Sequence, residues 1–584
     1  MAKYTADFET ATWIPDETYV WAYAICEIED PDNIIIGNNI DDFFKWCMSA
    51  KNPILYFHNL KFDGEFIIYY LLKNGYSHIK DKKEKKDKTF TTLISDMGMF
   101  YTIEVFFKVG NKKVNKVTFI DSLKIIPFSV EDIANTFGLP INKLELDYDT
   151  PREKGYILKD YEKEYIKNDV KIVALALRIL FDSGLTKMTI GSNALNNYKE
   201  MMGINKFNHY FKELDKRLDN DLRQSYKGGF TYLNPIYKSN NVGCGITLDV
   251  NSLYASIMYN NPMPYDYPIF YEGKYQEDKV YNLYIQKITC SFKIKKNHIP
   301  TIQIKHGIFK NNEYLTTSEN EFGEDIVSLT LTSIDLKLFL EQYDVSDLKY
   351  ICGWKFKSVT GLFSKYIDYW TKIKIESTEN GNLGKRTLAK LMLNSLYGKY
   401  ATSLKAKSKY PYLENDIVKY EMGEEEEKKG LYIPIGAFIT AYGRNITIRT
   451  SQAITDYSIK KYGRDLYIYS DTDSISTLLP IDEVKKFCNI DSVKLGYWKH
   501  ENTFTRAKFI RQKTYLKEID GKIHITCSGM PKSCYEYVEW EKFKEGFTCG
   551  GKLRFSHIKG GVKLVPTEFT IKKDTYLTKN MKGF

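Results

Sequence analysis

Apolar and polar positions in the first 190 residues follow two alternating rhythms. Strand-like runs (ILYFHNL at 54–60, FFKVG at 106–110, KVTFIDSL at 116–123) are followed by helical spacing, as in YEKEYIKNDVKIVALALRIL at 161–180. That alternation predicts an α/β or α+β domain. From Gly228 onward β-like runs lead to a helical block near 362–400, and then to more strands up to the C-terminus. Two charged runs break the pattern. KDKKEKKDK (80–88) reads as a solvated loop joining two strands, and GEEEEKKG (423–430) as a hairpin tip between apolar segments. No repeat of solenoid period is visible. At 584 residues the chain exceeds what one core holds, so two or more domains are expected.

Two sets of acids fall where these elements can gather them. In DFET, Asp7 and Glu9 stand two apart at the end of a short strand, and strand geometry points both to one face. HNLKFDGEF places Asp63 after the apolar ILYF strand and a turn-like NLKFDG stretch. In YIKND, Tyr165 and Asp169 are four apart on a helical stretch and share a face. Four acids converging in this way could hold two divalent metals, one activating a water and one stabilising the leaving oxygen of a phosphodiester. The second set begins with Asp249 at the end of ITLDV. It continues with Asp471 and Asp473 in LYIYSDTDSIS, which reads as strand, tight turn, strand. Between them, RTLAKLMLNSLYGKY puts Arg386, Lys390, Asn394 and Tyr397 on one helical face, leaving Leu388, Leu391, Met392 and Leu396 to pack inward. Such a helix, ending in a flat ring before a permissive glycine, could back a nascent base pair.

Composition adjusts this picture only slightly. Hydrophobic residues at 43% and charged residues at 27% are ordinary for a globular protein. A formal net charge of +10 and 46 tyrosines fit a polyanionic partner whose bases stack on aromatic rings. Nine scattered cysteines without a C-x-x-C pair argue against a zinc site or a disulfide framework, and for a reducing compartment. The oxygen-rich acid sets suit Mg²⁺ instead. The start, MAKYTADFET, lacks a signal-peptide core, and FIIYYLL (66–72) is too short to span a bilayer, so a soluble protein without membrane attachment is expected.

The first acid set, in its order Asp-x-Glu, middle Asp, Tyr-x-x-x-Asp, resembles the proofreading nuclease of family A and B DNA polymerases. DVNSLYASIM (249–258), KLMLNSLYG (390–398) and YSDTDS (469–474) match the three polymerase motifs of family B in order. KTY (513–515) matches its Lys-x-Tyr motif, and YKGG (226–229) its linker motif. Within that family the chain looks most like the protein-primed phage replicases of the phi-29 type. It has almost nothing before the first nuclease motif, a gap from Asp249 to Lys390 long enough for an inserted module, and a second insertion-like segment at 403–430.

The resemblance implies a ribonuclease-H-like 3′→5′ exonuclease domain followed by a right-hand polymerase. The expected organisation is exonuclease 1–190, palm 191–260, first insertion 261–360, fingers 361–402, second insertion 403–430, palm 431–535 and thumb 536–584. It assigns Asp7, Glu9, Asp63 and Asp169 as exonuclease metal ligands, Tyr165 as the water-orienting group and Lys143 as a catalytic aid. Thr10, Asn59, Phe62, Ser122 and Leu123 would hold the 3′ end. In the polymerase, Asp249 and Asp473 would bind metal with the Val250 carbonyl, supported by Asp471. Tyr254 would exclude a 2′-hydroxyl; Lys390 and Lys374, preferred over Lys372, would neutralise the triphosphate; Asn394 and Tyr397 would face the incoming nucleotide. Tyr226, Gly228, Gly229, Lys513 and Tyr515 would contact DNA. Two Mg²⁺ per site, with Mn²⁺ as a substitute, template-primer DNA, dNTPs and a terminal protein are the implied cofactors and partners. A monomer acting in the host cell cytoplasm is implied, with high processivity and strand displacement; the alternative is a family B polymerase using nucleic-acid primers alone. Two departures are noted: Ala255 stands where many relatives have proline, and 375–385 is expected as an extended fingers tip.

Overall fold

The computed structural model describes residues 2–108, 114–303, 314–319, 323 and 325–572. The alternation in the first 190 residues folds as an eight-stranded sheet covered by helices. Its strands are β1 (Lys3–Thr10), β2 (Val20–Glu27), β3 (Ile34–Gly37), β4 (Ile54–Phe57), β5 (Ser77–His78), β6 (Thr89–Ile94), β7 (Phe100–Phe107) and β8 (Asn115–Asp121). They lie in the order β3-β2-β1-β4-β8-β7-β6-β5. The central β1-β4-β8 strands are parallel, so their C-terminal ends share one edge, and the acids at those ends meet there. A parallel centre needs cover on both faces. Helix Asp160–Asp182 supplies Ile166, Val170, Val173 and Leu177 to one core, while Phe43 of helix Ile40–Ser49 packs on Phe57 and Phe119 in the other. The 80–88 run is exposed between β5 and β6, as expected of a solvated loop.

A second sheet carries the later acids. Its five antiparallel strands run in the order Trp498–Phe504, Gly245–Val250, Ser474–Thr477, Tyr467–Asp471, Thr231–Leu233, drawing residues far apart in the chain into one layer. Against it lies helix Ile433–Tyr462, 30 residues long, where the sequence suggested strands. Its first part, 433–443, has no polar face, and a helical stretch apolar all round is the signature of burial on every side; an exposed polar face, with Arg449, Asp456 and Lys460, begins only after it. Pro434 starts this helix, and Gly463, at φ 69°, ends it. Most side chains from Ile433 to Arg444 are buried, and Tyr442 and Gln452 bond the Pro262 carbonyl and the Ile299 N–H.

Within 261–360, four strands (Met263–Glu272, Leu283–Ile294, Val327–Thr332, Tyr343–Val359) and helix Ser333–Gln342 form a sheet of their own. The hairpin Lys405–Glu414/Ile417–Glu427 turns at Asn415 and Asp416, both with positive φ. Residues 423–430 are therefore not its tip: they end the second strand and lead into the long helix. In 375–385, helices Ser364–Glu379 and Leu383–Ser395 leave three residues between them, so the segment is mostly helical. Near the C-terminus, hairpin Thr548–Ile558/Gly561–Thr570 packs with the short helical segment Lys532–Tyr537. There the expectation against disulfides fails: Cys534 and Cys549 are bonded, and the other seven cysteines are free. The expected thumb segment 536–584 extends past the described residues. Among those residues no helix is long and apolar enough to cross a membrane.

Candidate catalytic sites

The first site is a cleft of about 740 Å³ at the end of β1. Asp7, Glu9, Thr10, Asn59, Phe62, Asp63, Lys143, Tyr165 and Asp169 all line it. Asp63 arrives on a helix rather than a turn. Asn59 takes a left-handed φ of 76°, and helix Leu60–Lys73 starts immediately after it. The Asp121 carboxylate accepts the N–H groups of Asn59 (3.1 Å) and Leu60 (3.3 Å), donors a helix start leaves free. Asp63 in turn accepts from the Phe8 N–H at 3.3 Å, which ties the helix to the strand bearing Asp7 and Glu9.

The electrostatics of this cleft are those of acids crowded in low dielectric. Burial, then the Asp169 charge, pushes Asp7 up to about 7. Burial and neighbouring carboxylates raise Glu9 and Asp63 as well. Asp169 is also raised by burial, against the pull of Lys143, whose ammonium donates to its Oδ2 at 2.6 Å. Asp169 Oδ1 is buried with no hydrogen-bond partner. The Tyr165 hydroxyl lies 2.6 Å from that of Tyr148. Tyr148 and His58 also line the cleft, and no motif in the sequence marked them. The far wall comes from Leu553, Phe555, Val562, Lys563 and Leu564 of the C-terminal hairpin. Ser122 and Leu123 are not among the lining residues. Ser122 is fully buried and donates to the Phe57 carbonyl at 3.0 Å, with His58 Nδ1 also 3.0 Å away.

The second site is built differently. Asp249 pairs across the ladder with Ser474, and the Val250 N–H donates to the Asp473 carbonyl at 2.8 Å. The turn between Asp471 and Asp473 is made by Thr472, whose φ is 60°. It is pinned where its N–H donates to the Phe230 carbonyl (2.6 Å) and its carbonyl accepts from Thr447 (2.7 Å). Gly229 is required here: a Cβ would stand 2.6 Å from Thr472 Oγ1. Gly228 is open on that side, but its carbonyl and that of Lys227 accept from Arg444 at 2.7 and 2.6 Å. Arg444 is buried and grips Asp335 through two nitrogens (3.0 and 2.7 Å), a role the sequence did not signal.

Lysines pair with two of the three acids. Lys499 stands 3.0 Å from Asp249, and Lys513 bonds both Asp471 oxygens at 2.7 and 2.8 Å. Asp473 is raised to about 6 by burial, then by the charge of Asp249. Tyr515 packs on Tyr469 and Phe509 beneath the turn. Over the site, the Tyr254 and Tyr397 rings lie 4.1 Å apart at 35°. Arg386, Lys390 and Asn394 share the exposed face expected of them; Tyr397 opens a separate short helix after a break at Leu396. Lys374 is lowered by burial, then by Lys390, Arg386 and Lys499, which places it in one cationic group with them. Lys372 is 75% exposed and faces Glu376. Tyr226 is half-buried among the aromatic rings packed on this core.

Among the described residues no three His, Cys, Asp or Glu side chains form a ready-made metal cage. The donors nevertheless suit a hard cation, being all oxygen. In the first cleft, the partnerless Asp169 oxygen and the mutually raised acids are what a bound cation would satisfy.

A family model for DNA polymerase type B, organellar and viral, matches residues 45–482. The DNA polymerase of Bacillus phage Nf is 44% identical, over 97% of this chain and 99% of that protein; that of Bacillus phage phi29 is likewise 44% identical over 97% and 99%. A solved structure of the phi29 enzyme, described as complexed with primer-template DNA and incoming nucleotide substrates, superposes with a TM-score of 0.89 at 42% identity, covering 98% of this chain and 100% of that one. The chain belongs to the type B DNA polymerases of organelles and viruses.

Proposed function

We propose that this DNA polymerase copies a linear phage genome from a protein primer, synthesising at Asp249, Asp471 and Asp473 and proofreading 3′→5′ at Asp7, Glu9, Asp63 and Asp169. The observation carrying this reading is the pair of separate acid clusters on separate sheets, one facing a cationic helix and the other enclosed in a cleft. As a type B polymerase it works with divalent metal ions. Two Mg²⁺ at each cluster, with Mn²⁺ able to substitute, would be held by Asp249, Asp473 and the Val250 carbonyl, and by the four acids of the cleft. When bound, they activate the attacking oxygen and offset charge on the leaving oxygen of the phosphodiester.

The chain's own residues do the rest. Lys390 and Lys374 neutralise the triphosphate, and their mutual repulsion without a ligand is relieved by one. Tyr254, packed against the tilted Tyr397 ring, closes the sugar side of the pocket against a 2′-hydroxyl, while Asn394 and Tyr397 face the nascent pair. Gly228 and Gly229, beside Tyr226, let template phosphates approach the backbone, and Lys513 and Tyr515 hold the primer strand. In the cleft Lys143 fixes Asp169, Tyr165 orients the water, and Thr10, Asn59 and Phe62 receive the frayed 3′ end. Ser122 supports that grip from behind, through His58, and the Leu123 N–H is held by the Asp121 carboxylate that also caps the Asp63 helix.

The domain bounds given above are part of this proposal. The sheet within 261–360 and the hairpin within 403–430 are separate modules of the kind expected to receive a terminal protein and encircle template. Action as a monomer in the cytoplasm of the infected host is likewise proposed. The test is initiation on a linear template without an oligonucleotide. A covalent protein–dNMP adduct that needs a candidate terminal protein supports the reading; extension of oligonucleotide primers only would replace it with nucleic-acid priming.

A further inference from the structure

Glu65 follows Asp63 by two residues on helix Leu60–Lys73, yet it faces away from the acid cluster. Its side chain is 4% exposed, and a carboxylate is rarely buried so deeply unless partnered. Both partners come from elsewhere in the chain. The Tyr420 hydroxyl, 355 residues away on the hairpin Lys405–Glu414/Ile417–Glu427, donates to one oxygen at 2.7 Å. His557 Nε2, on the C-terminal hairpin, stands 3.1 Å from the other, an ion-pair distance without good hydrogen-bond direction. The carboxylate raises His557 above its ordinary range, and the His557 and Tyr420 rings meet edge to face at 5.9 Å. Three separately folded pieces thus converge on one carboxylate.

The same C-terminal hairpin is seated closely on the nuclease domain. Lys61 lies 4.9 Å over the Phe555 ring, and Phe62 is 6.2 Å from it. The Thr18 N–H donates to the Lys559 carbonyl at 2.9 Å. A Cβ on Gly560 would stand 1.8 Å from the Thr18 oxygen, and one on Gly561 2.7 Å from Phe66, so the turn has no room for a side chain. Phe555 and the 562–564 strand then form the wall of the cleft opposite Asp7 and Glu9.

We propose that Glu65, joined to Tyr420 and His557, is a positioning residue that latches both hairpins onto the nuclease helix and holds the C-terminal hairpin as the roof of the cleft, so that a single-stranded 3′ end threads beneath it. The inference rests on the proofreading reading of that cleft. It explains why a charge is buried where an alanine or leucine would pack more cheaply: an apolar residue would fill the space without fixing either hairpin in register.

Two readouts on the full chain test it. Backbone hydrogen exchange across 553–567 should speed up in Glu65→Ala, with Glu65→Gln, which keeps the Tyr420 bond, falling between it and the wild type. Degradation of a long single strand by Glu65→Ala should show KM raised about ten-fold at unchanged kcat, the scale of one buried polar group losing its partner. A trinucleotide, too short to need the roof, should be cut as by the wild type. Unchanged exchange across the hairpin, or equal losses on both substrates, would overturn the latch. A wild-type chain that degrades neither substrate would instead refute the proofreading reading, while hydrogen exchange still decides the latch. His557→Phe, which keeps bulk but removes the ion pair, should reproduce the exchange effect if Glu65→Ala fails to fold; primed synthesis reports on folding in each variant.

Discussion

The two acid sites solve the same electrostatic problem in opposite ways. In the first cleft Glu9, Asp63 and Asp169 are buried beside half-buried Asp7, with Lys143 the one cation bonded to them among the described residues, and the acids raise one another's protonation. At the second site, Asp249 and Asp471 each keep a lysine of their own, and burial with the Asp249 charge raises Asp473. Four crowded acids with a single lysine between them leave an unsatisfied field that cations can answer. Paired acids carry their counter-charges beside them, at 3.0 Å for Lys499 and Asp249 and 2.7 Å for Lys513 and Asp471. On the function proposed above, each arrangement matches its access: a closed cleft for a frayed end, an open floor for template-primer.

The sharpest way to break this comparison is to remove one site and read the other. Asp249→Ala should abolish dNTP incorporation and leave single-strand degradation intact, while Asp7→Ala with Glu9→Ala should do the reverse. Loss of both activities from either change, in a chain that still melts cooperatively, would contradict independent sites. The next largest effect concerns stability around the palm. Arg444→Met strands the half-buried Asp335 carboxylate and the Lys227 and Gly228 carbonyls, a loss of about 3 kcal/mol by analogy with other broken buried pairs, measurable by urea denaturation. A cost below about 1 kcal/mol would place that network with surface pairs.

Smaller effects separate neighbouring residues. Lys374→Ala should raise the KM for dNTPs about ten-fold, the scale of one lost charge-assisted contact, whereas Lys372→Ala should leave it unchanged. Equal effects would undo the preference for Lys374. Tyr254→Val should increase ribonucleotide incorporation with little change for dNTPs; unchanged sugar selectivity would remove the ring from the 2′ side of the pocket.

Which of these residues the sequence could reveal depends on how local their partners are. Asp7 and Glu9, the Asp471–Asp473 turn and the Lys390 helix face were legible because strand and helix periods alone set their geometry. The start of helix Ile433–Tyr462 was not, because packing on every side from Ile433 to Arg444 left it without the polar stripe that marks a helix. Asn415-Asp416 did carry a turn signal, but the acidic run after it was more conspicuous. Arg444, Glu65 and the Cys534–Cys549 pair had no signal of their own. Each is an ordinary residue until a partner brought by the fold makes it otherwise, and the partners of Arg444 and Glu65 lie more than a hundred residues away.

Lys517 gives the finest test of the contrast, since it is a buried cation without a bonded acid, set under the palm acids. Its ammonium donates to Thr247 (2.8 Å) and Ser476 (3.0 Å), on the strands leading to Asp249 and away from Asp473, and lies near the Phe504, Phe509 and Tyr515 rings. Burial lowers it to about 8. Because the unfolded chain holds this proton up to the ordinary lysine range, between about pH 8 and 10 the unfolded state binds more protons than the native state, and the native state gains stability as pH rises. Below pH 8 both states are protonated and the contribution is constant. The stability of the wild type relative to Lys517→Met should therefore climb by about 1 kcal/mol per pH unit across that window, read from paired urea titrations at several pH values. A flat difference would mean that the two hydroxyls and three rings solvate the ammonium as well as water does, and that the palm carries no penalty on its cationic side to set against the crowded acids of the cleft.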